Sequence, residues 1–187
     1  MRVIAGKFKS RPLHSLAGMK TRPTSDRLRE TLFNVLTAGN PSALEGSVWL
    51  DIFAGTGAVG IEALSRGAQR VTFIDKAPAA VRVIRENLKS LGVTEGFEII
   101  DHEASRALRL YGEKGLAADY VFVDPPYASH DAYEEVLALL AQSILNQGAI
   151  VIAEHVKRHD PGEAFGAMRR YRKLVQGDSG LSFYRLE

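Results

Sequence analysis

The chain has 187 residues, 45% of them hydrophobic and 25% charged, a length and balance that fit one globular unit with a sizeable core. It has no cysteine, which excludes disulfides and thiolate metal sites, and no metal is expected from the spacing of its histidines. No apolar run approaches the ~20 residues of a membrane helix, and the basic N-terminus lacks the apolar stretch of a signal peptide, so a cytoplasmic protein is expected. The net charge of +2 hides an asymmetry. Residues 1–30 carry Arg2, Lys7, Lys9, Arg11, Lys20, Arg22, Arg27 and Arg29 against Asp26 and Glu30, a balance of +6 that leaves −4 on the rest. A basic arm on a slightly acidic body fits a polyanionic partner; a solvated surface segment fits it equally.

The opening RVIA reads as a short strand, with a turn from Gly6 to Pro12 and a return strand over Leu13–Leu16. Thr24, Ser25 and Asp26 all suit the N-cap of a helix in which Leu28, Leu32, Val35 and Leu36 recur at helical spacing. Gly39-Asn40-Pro41 stops it. Strand and helix then alternate. Strands are predicted at 48–53 (VWLDIF), 70–75 (RVTFID), 97–100 (FEII), 119–124 (DYVFVD) and 149–154 (AIVIAE). Helices are predicted at 58–66, 77–91, 104–111 and 133–145. YRKLVQ and LSFYRL read as a closing antiparallel pair turned at Gly177-Asp178.

Strands separated by helices of this length imply βαβ units and a mostly parallel sheet with helices on both faces. Ligands in such sheets bind beyond the carboxyl ends of the strands. Asp51, Asp75 and Asp124 stand at or near those ends, so the fold gathers them along one rim.

Asp51 to Gly60 reads DIFAGTGAVG, a strand-to-helix turn whose glycines fit G-x-G-x-x-G, with Asp75 twenty residues beyond Gly55. Alone this also fits a dinucleotide site. Asp51 shifts the balance: a pyrophosphate on this turn is repelled by so close a carboxylate, whereas S-adenosylmethionine carries a cationic amino group and a sulfonium. The candidate cofactor residues are Asp51, Phe53, Gly55, Gly57, Asp75, Lys76, Glu103 and Ala104. Asp75 is assigned to the ribose hydroxyls and Glu103-Ala104 to the adenine amino group. Purely structural roles stand beside these: Asp51 as a cap for the turn, Asp75 as an N-cap for the next helix, Glu103 as a solvent-facing acid.

Asp124-Pro125-Pro126-Tyr127 follows the fourth strand directly. Two prolines lack N–H groups and fix φ, so the turn is stiff. An exocyclic amine on a base is a poor nucleophile. The Asp124 carboxylate and the Pro125 carbonyl can each accept one of its N–H groups and aim its lone pair at a methyl group, while Tyr127 offers a stacking face. The base must be unpaired or extruded to reach such a loop.

This loop resembles that of methyltransferases acting on adenine N6 or guanine N2. More specifically, the chain resembles the RsmD-type bacterial small-subunit rRNA guanine-N2 methyltransferases. The matching blocks are Arg2 to Lys7, Thr21 to Asn34, Asp51 to Gly60, Glu62 to Ala68 and Val123 to Tyr127. Glu103 departs from the Asp or Asn expected there. The resemblance implies a seven-stranded Rossmann-like class I methyltransferase sheet (41–187) with a small N-terminal hairpin and helix extension (1–40), together one compact unit. It implies S-adenosyl-L-methionine as cofactor and a guanine in 16S (small-subunit) rRNA as substrate, within an assembling subunit. It also implies that Arg2, Lys7, Lys9, Arg11, Arg22 and Arg27 contact RNA and border the active site, and that the protein is a monomer. Arg29 and Asn34 are weighed as rim residues of the cofactor pocket; His155 is weighed as a pocket residue and set below the reading of an ordinary surface or capping histidine. The rival readings are an adenine-N6 methyltransferase, a nicotinamide-dependent oxidoreductase and a non-catalytic RNA-binding assembly factor.

Overall fold

The alternation of short apolar strands and helices builds a mixed sheet. β1 (Val48–Ile52), β2 (Arg70–Ile74), β3 (Phe97–Ile100), β4 (Ala118–Val123) and β5 (Leu145–Val156) run parallel. β6 (Ala164–Phe165), β7 (Met168–Gln176) and β8 (Ser179–Leu186) complete it as antiparallel strands. The order is β3-β2-β1-β4-β5-β8-β7-β6. The structure, a computed structural model, describes residues 1–16, 25–126 and 130–187. The expected seven strands are all present, and the two-residue β6 is an addition at the edge.

Among the described residues, five helices cover the faces: α1 (Asp26–Leu36), α2 (Ala58–Ser65), α3 (Pro78–Ser90), α4 (Ala104–Glu113) and α5 (His130–Ser143). Of the three candidate caps, Ser25 serves, its side chain accepting the Leu28 N–H. The apolar positions of α1, α2 and α3 meet Trp49, Val71, Phe73, Phe122, Ile152 and Phe183 on one face of the sheet. Those of α4 and α5 meet Leu50, Ile52, Val121, Val123, Val151 and Tyr184 on the other. Trp49 is fully buried and stacks with both Phe33 and Tyr120.

The N-terminal hairpin is not the ladder the sequence suggests. Only Arg2 and Pro12 form a bridge. The reason is competition for donors: the N–H groups of Ile4 and Ala5 bond the Glu62 carboxylate, and that of Lys7 bonds the Ser65 carbonyl. The segment thus divides its bonds between α2 and a short self-pairing, in which Val3 bonds Arg11 and Ser10 and Leu13 bonds Met1. Gly6 lies so close to α2 that a Cβ there would meet the Ser65 carbonyl oxygen at 1.9 Å.

Candidate active site

The chain runs outward from β1 to β2 and β3, then returns to lay β4 on the other side of β1. The strand order reverses there, and a crevice forms at the carboxyl ends of β1 and β4. Phe53 leaves β1 with φ +62°, a left-handed conformation that costs a β-carbon-bearing residue about 1–3 kcal/mol. Gly55 and Gly57 follow with φ +56° and +75°. A Cβ on Gly55 would meet nothing nearer than the Phe53 carbonyl at 3.9 Å, so the space above this turn is open to a ligand. Gly60 is constrained differently: a Cβ there would meet the Phe73 ring at 2.4 Å, so this glycine lets α2 sit on the sheet.

Asp75 clasps the turn. Its Oδ2 accepts the Gly55 N–H and its Oδ1 the Ala77 N–H, both at 2.9 Å. Each oxygen keeps a further lone pair for a ligand hydroxyl. Asn87 on α3 is a second tether that sequence reasoning missed. Its Nδ2 donates to the Thr56 carbonyl and to that of His14, and its Oδ1 accepts the His14 N–H. A lone Asn on an otherwise amphipathic helix gave only one signal: its place among the buried positions Ile84 and Leu88.

Three acids converge as expected, and a fourth joins them. Asp51 is buried, with Oδ2 accepting the Gly60 N–H at 2.8 Å. Burial pushes its carboxyl up to about 7; the Gly60 bond opposes the shift, and the charge of Asp75 adds to it. Asp124 ends β4 and its N–H bonds the Ile52 carbonyl. Its carboxyl is pushed well above the usual range by burial, then by Glu154, then by Asp51. Glu154, near the end of β5, is 2% exposed. Pro125 is buried and Pro126 exposed, while Tyr127 lies outside the described residues.

The remaining cofactor candidates divide. Ala104 is buried in the first turn of α4. Lys76 and Glu103 pair with each other at 2.7 Å, both largely solvent-exposed, and Glu103 caps no helix N–H with its side chain. His155 is no pocket residue: fully buried, it bonds the Val156 carbonyl and the Ser182 hydroxyl through its two nitrogens. A polar cleft of about 310 Å³ opens at the opposite, amino ends of β1, β4 and β5. Of its two acids, Asp119 is engaged by the Val48 N–H and the Asn146 amide, and Glu45 accepts from the Ser42 hydroxyl, which gives both structural tasks.

The family described as conserved hypothetical protein 95 matches residues 1–185. The ribosomal RNA small subunit methyltransferase D of Escherichia coli K12 is 34% identical, with 100% of this chain and 90% of that protein covered. This chain belongs to that family, the RsmD type. A solved Escherichia coli chain named yhhF superposes with a TM-score of 0.85 at 32% identity, covering 100% of this chain and 98% of that one. A more distant chain, SMU.776, solved complexed with SAH, shares the fold with a TM-score of 0.64 at 14% identity; 86% of this chain and 48% of that one are covered. The fold is the Rossmann-like class I methyltransferase fold.

In this family member the basic arm runs from the glycine turn to the far ends of two helices. Arg2, Lys7, Lys9, Arg11 and Arg27 are exposed, and Arg22 lies outside the described residues. Lys7 abuts the last residue of α2 through its backbone, and the Arg11 guanidinium bonds the carbonyl of Ser90, the last residue of α3. The tip of the arm therefore sits at the carboxyl ends of α2 and α3, while its two ends meet the glycine turn: the Thr56 hydroxyl donates to the Met1 sulfur at 3.8 Å, and Asn87 ties the His14 carbonyl to that of Thr56. Arg29 is neither a rim residue nor part of the basic surface. It is fully buried, bonded to Asp26 at 2.8 Å and to the Arg2 carbonyl, with Glu62 3.9 Å away. Asn34 is exposed on α1.

Proposed function

We propose that this chain transfers a methyl group from S-adenosylmethionine to the exocyclic N2 amine of a guanine in small-subunit rRNA, within an assembling subunit. The observation that carries the reading is the position of Asp124-Pro125-Pro126 at the end of β4, across the switch point from the glycine turn. The name of the Escherichia coli relative supports the rRNA substrate.

The turn suits the cofactor. The open space at Gly55 admits close approach, Asp75 has lone pairs left for ribose hydroxyls, and Asp51 and Asp75 supply negative charge for a cationic amino group. S-adenosylmethionine, when bound, supplies an electrophilic methyl on a sulfonium. The chain's own residues do the rest. Asp124 and the Pro125 carbonyl accept the two N–H groups of the base amine and hold its lone pair toward the methyl. The Asp124 carboxylate stabilises the positive nitrogen that develops, and its raised proton affinity suits it to accept the proton that nitrogen then loses. Tyr127 stacks the base, and Lys7, Lys9 and Arg11 bind RNA phosphates away from the crevice.

The test is incubation with methyl-labelled S-adenosylmethionine and small-subunit particles, followed by digestion to nucleosides. Label in N2-methylguanosine is expected. Label in N6-methyladenosine would transfer the reading to adenine, and no label in any RNA would favour a non-catalytic assembly factor.

A further inference from the structure

We propose that Glu154 determines base specificity by accepting the N1–H of the target guanine, beside the N2 amine held at Asp124. The inference rests on the guanine-N2 reading above and deepens it.

The strand register carries the argument. Parallel β4 and β5 pair Val123 with Ala153, so the next residues along, Asp124 and Glu154, are neighbours at the carboxyl edge of the sheet. Side chains alternate along a strand. Phe122 and Ile152, two residues earlier, both pack under the α1–α3 layer, so Asp124 and Glu154 lie on that same face. The backbone of Glu154 is fixed from two sides: the Tyr133 hydroxyl donates to its carbonyl at 2.6 Å, and β8 pairs it with Leu181.

A second carboxylate beside Asp124 is expensive. Glu154 is buried and Asp124 partly so, and the charge of Glu154 raises the cost of ionising Asp124. Two neighbouring acceptors become useful when a ligand brings two neighbouring donors. The Watson–Crick edge of guanine does so, with N1–H next to the N2 amine. Adenine presents a bare N1 lone pair next to its N6 amine, which a carboxylate repels. Reading a flipped base along this edge is the general device of enzymes that modify bases. An acceptor pair spaced across β4 and β5 therefore favours guanine at the same loop that activates the amine.

The test uses the full-length protein and an RNA carrying either guanine or 2-aminopurine at the methylated position, mapped first on the wild-type product. 2-Aminopurine keeps the C2 amine but has a lone pair at N1 and a hydrogen in place of O6, so the change of ratio in a Glu154 variant, and not the ratio alone, reads the N1 contact. Wild type is expected to favour guanine in kcat/KM by about tenfold or more, the scale of a base-edge hydrogen-bond pair. Glu154→Gln, whose amide can donate to a bare N1, is expected to bring that ratio close to one, with cofactor affinity unchanged and the melting temperature no lower. A role in structure alone would lower both rates together, and an unchanged ratio in Glu154→Gln overturns the proposal. If that variant does not fold, Glu154→Asp takes its place: the shortened acceptor is expected to lower the guanine rate more than the 2-aminopurine rate, and an equal fall in both overturns the proposal. A wild-type product other than N2-methylguanosine would remove the underlying reading first, whatever the ratio.

Discussion

Asp75 and Gly55, twenty residues apart in sequence, are joined by a 2.9 Å hydrogen bond from the Gly55 N–H to the Asp75 carboxylate. The same carboxylate holds the Ala77 N–H, so one side chain fixes both walls of the cofactor crevice. Asp75→Ala removes the clasp and the ribose acceptors together. Affinity for S-adenosylmethionine is expected to fall by about 1.5–3 kcal/mol, the scale of hydrogen bonds to a charged group. Titration calorimetry measures this, and thermal melting of the unliganded variant should drop as well, because two backbone donors lose their partner.

Asp51 makes cofactor binding depend on pH. Its carboxyl lies near 3.8 when unfolded and at about 7 in the fold, so the folded state holds more protons between those values. Stability of the free protein is therefore expected to be highest at the acid end of that window, to fall as pH rises from about 4 to about 7, and to level off above. A cationic amino group near Asp51 favours its ionised form, so binding expels the proton. Affinity for S-adenosylmethionine should tighten as pH rises through about 7. Calorimetry in buffers of different ionisation enthalpy reads the released proton directly, and Asp51→Asn should abolish the release.

Arg29 binds the N-terminal segment to the helical layer. Its guanidinium is buried among Asp26, Glu62 and the Arg2 carbonyl, while Glu62 also holds the Ile4 and Ala5 N–H groups and Arg66. Arg29→Ala leaves the fully buried Glu62 short of a counter-charge. A loss of about 3–5 kcal/mol in urea denaturation is expected, the usual cost of breaking a buried ion pair. Arg66→Ala, at the more accessible edge of the network, should cost less.

The sheet and the order of its elements were legible in the sequence because apolar strands and 3.6-period helices leave different patterns. The third strand was placed to the residue, and the others differ mainly at their ends. The convergence of Asp51, Asp75 and Asp124 followed from topology alone. What was not legible depended on partners distant in sequence. Arg29 counts as surface charge until Glu62 is seen behind it. The RVIA segment resembles a hairpin strand until α2 is seen to take its donors. Glu154 reads as a strand-end acid, and only the β4–β5 register sets it beside Asp124. His155 stands after a strand, a position that also suits an ordinary histidine, and only the pairing with β8 shows that Ser182 holds its ring.

RNA affinity should depend on salt through the arm. Replacing Lys7, Lys9 and Arg11 together with Gln is expected to flatten the slope of log affinity against log salt by up to roughly 2, given about 0.7 per phosphate contact on single-stranded RNA. Affinity for S-adenosylmethionine should be unchanged, since the arm's tip sits at the far ends of α2 and α3. Filter binding over a salt series checks the slope; an unaltered slope makes the arm a solvated segment.

The central claim is that Asp124 orients and stabilises the reacting amine, and single-turnover methyl transfer at saturating RNA and cofactor measures it without interference from product release. Asp124→Ala should lose almost all activity while still binding cofactor. Asp124→Asn should keep a weak, measurable rate, because its carbonyl still accepts one N–H while the negative charge is gone, a loss of about 2–4 kcal/mol in transition-state stabilisation. A rate for Asp124→Ala close to that of wild type would contradict the account, since the loop at the end of β4 would then not be where the methyl group is transferred.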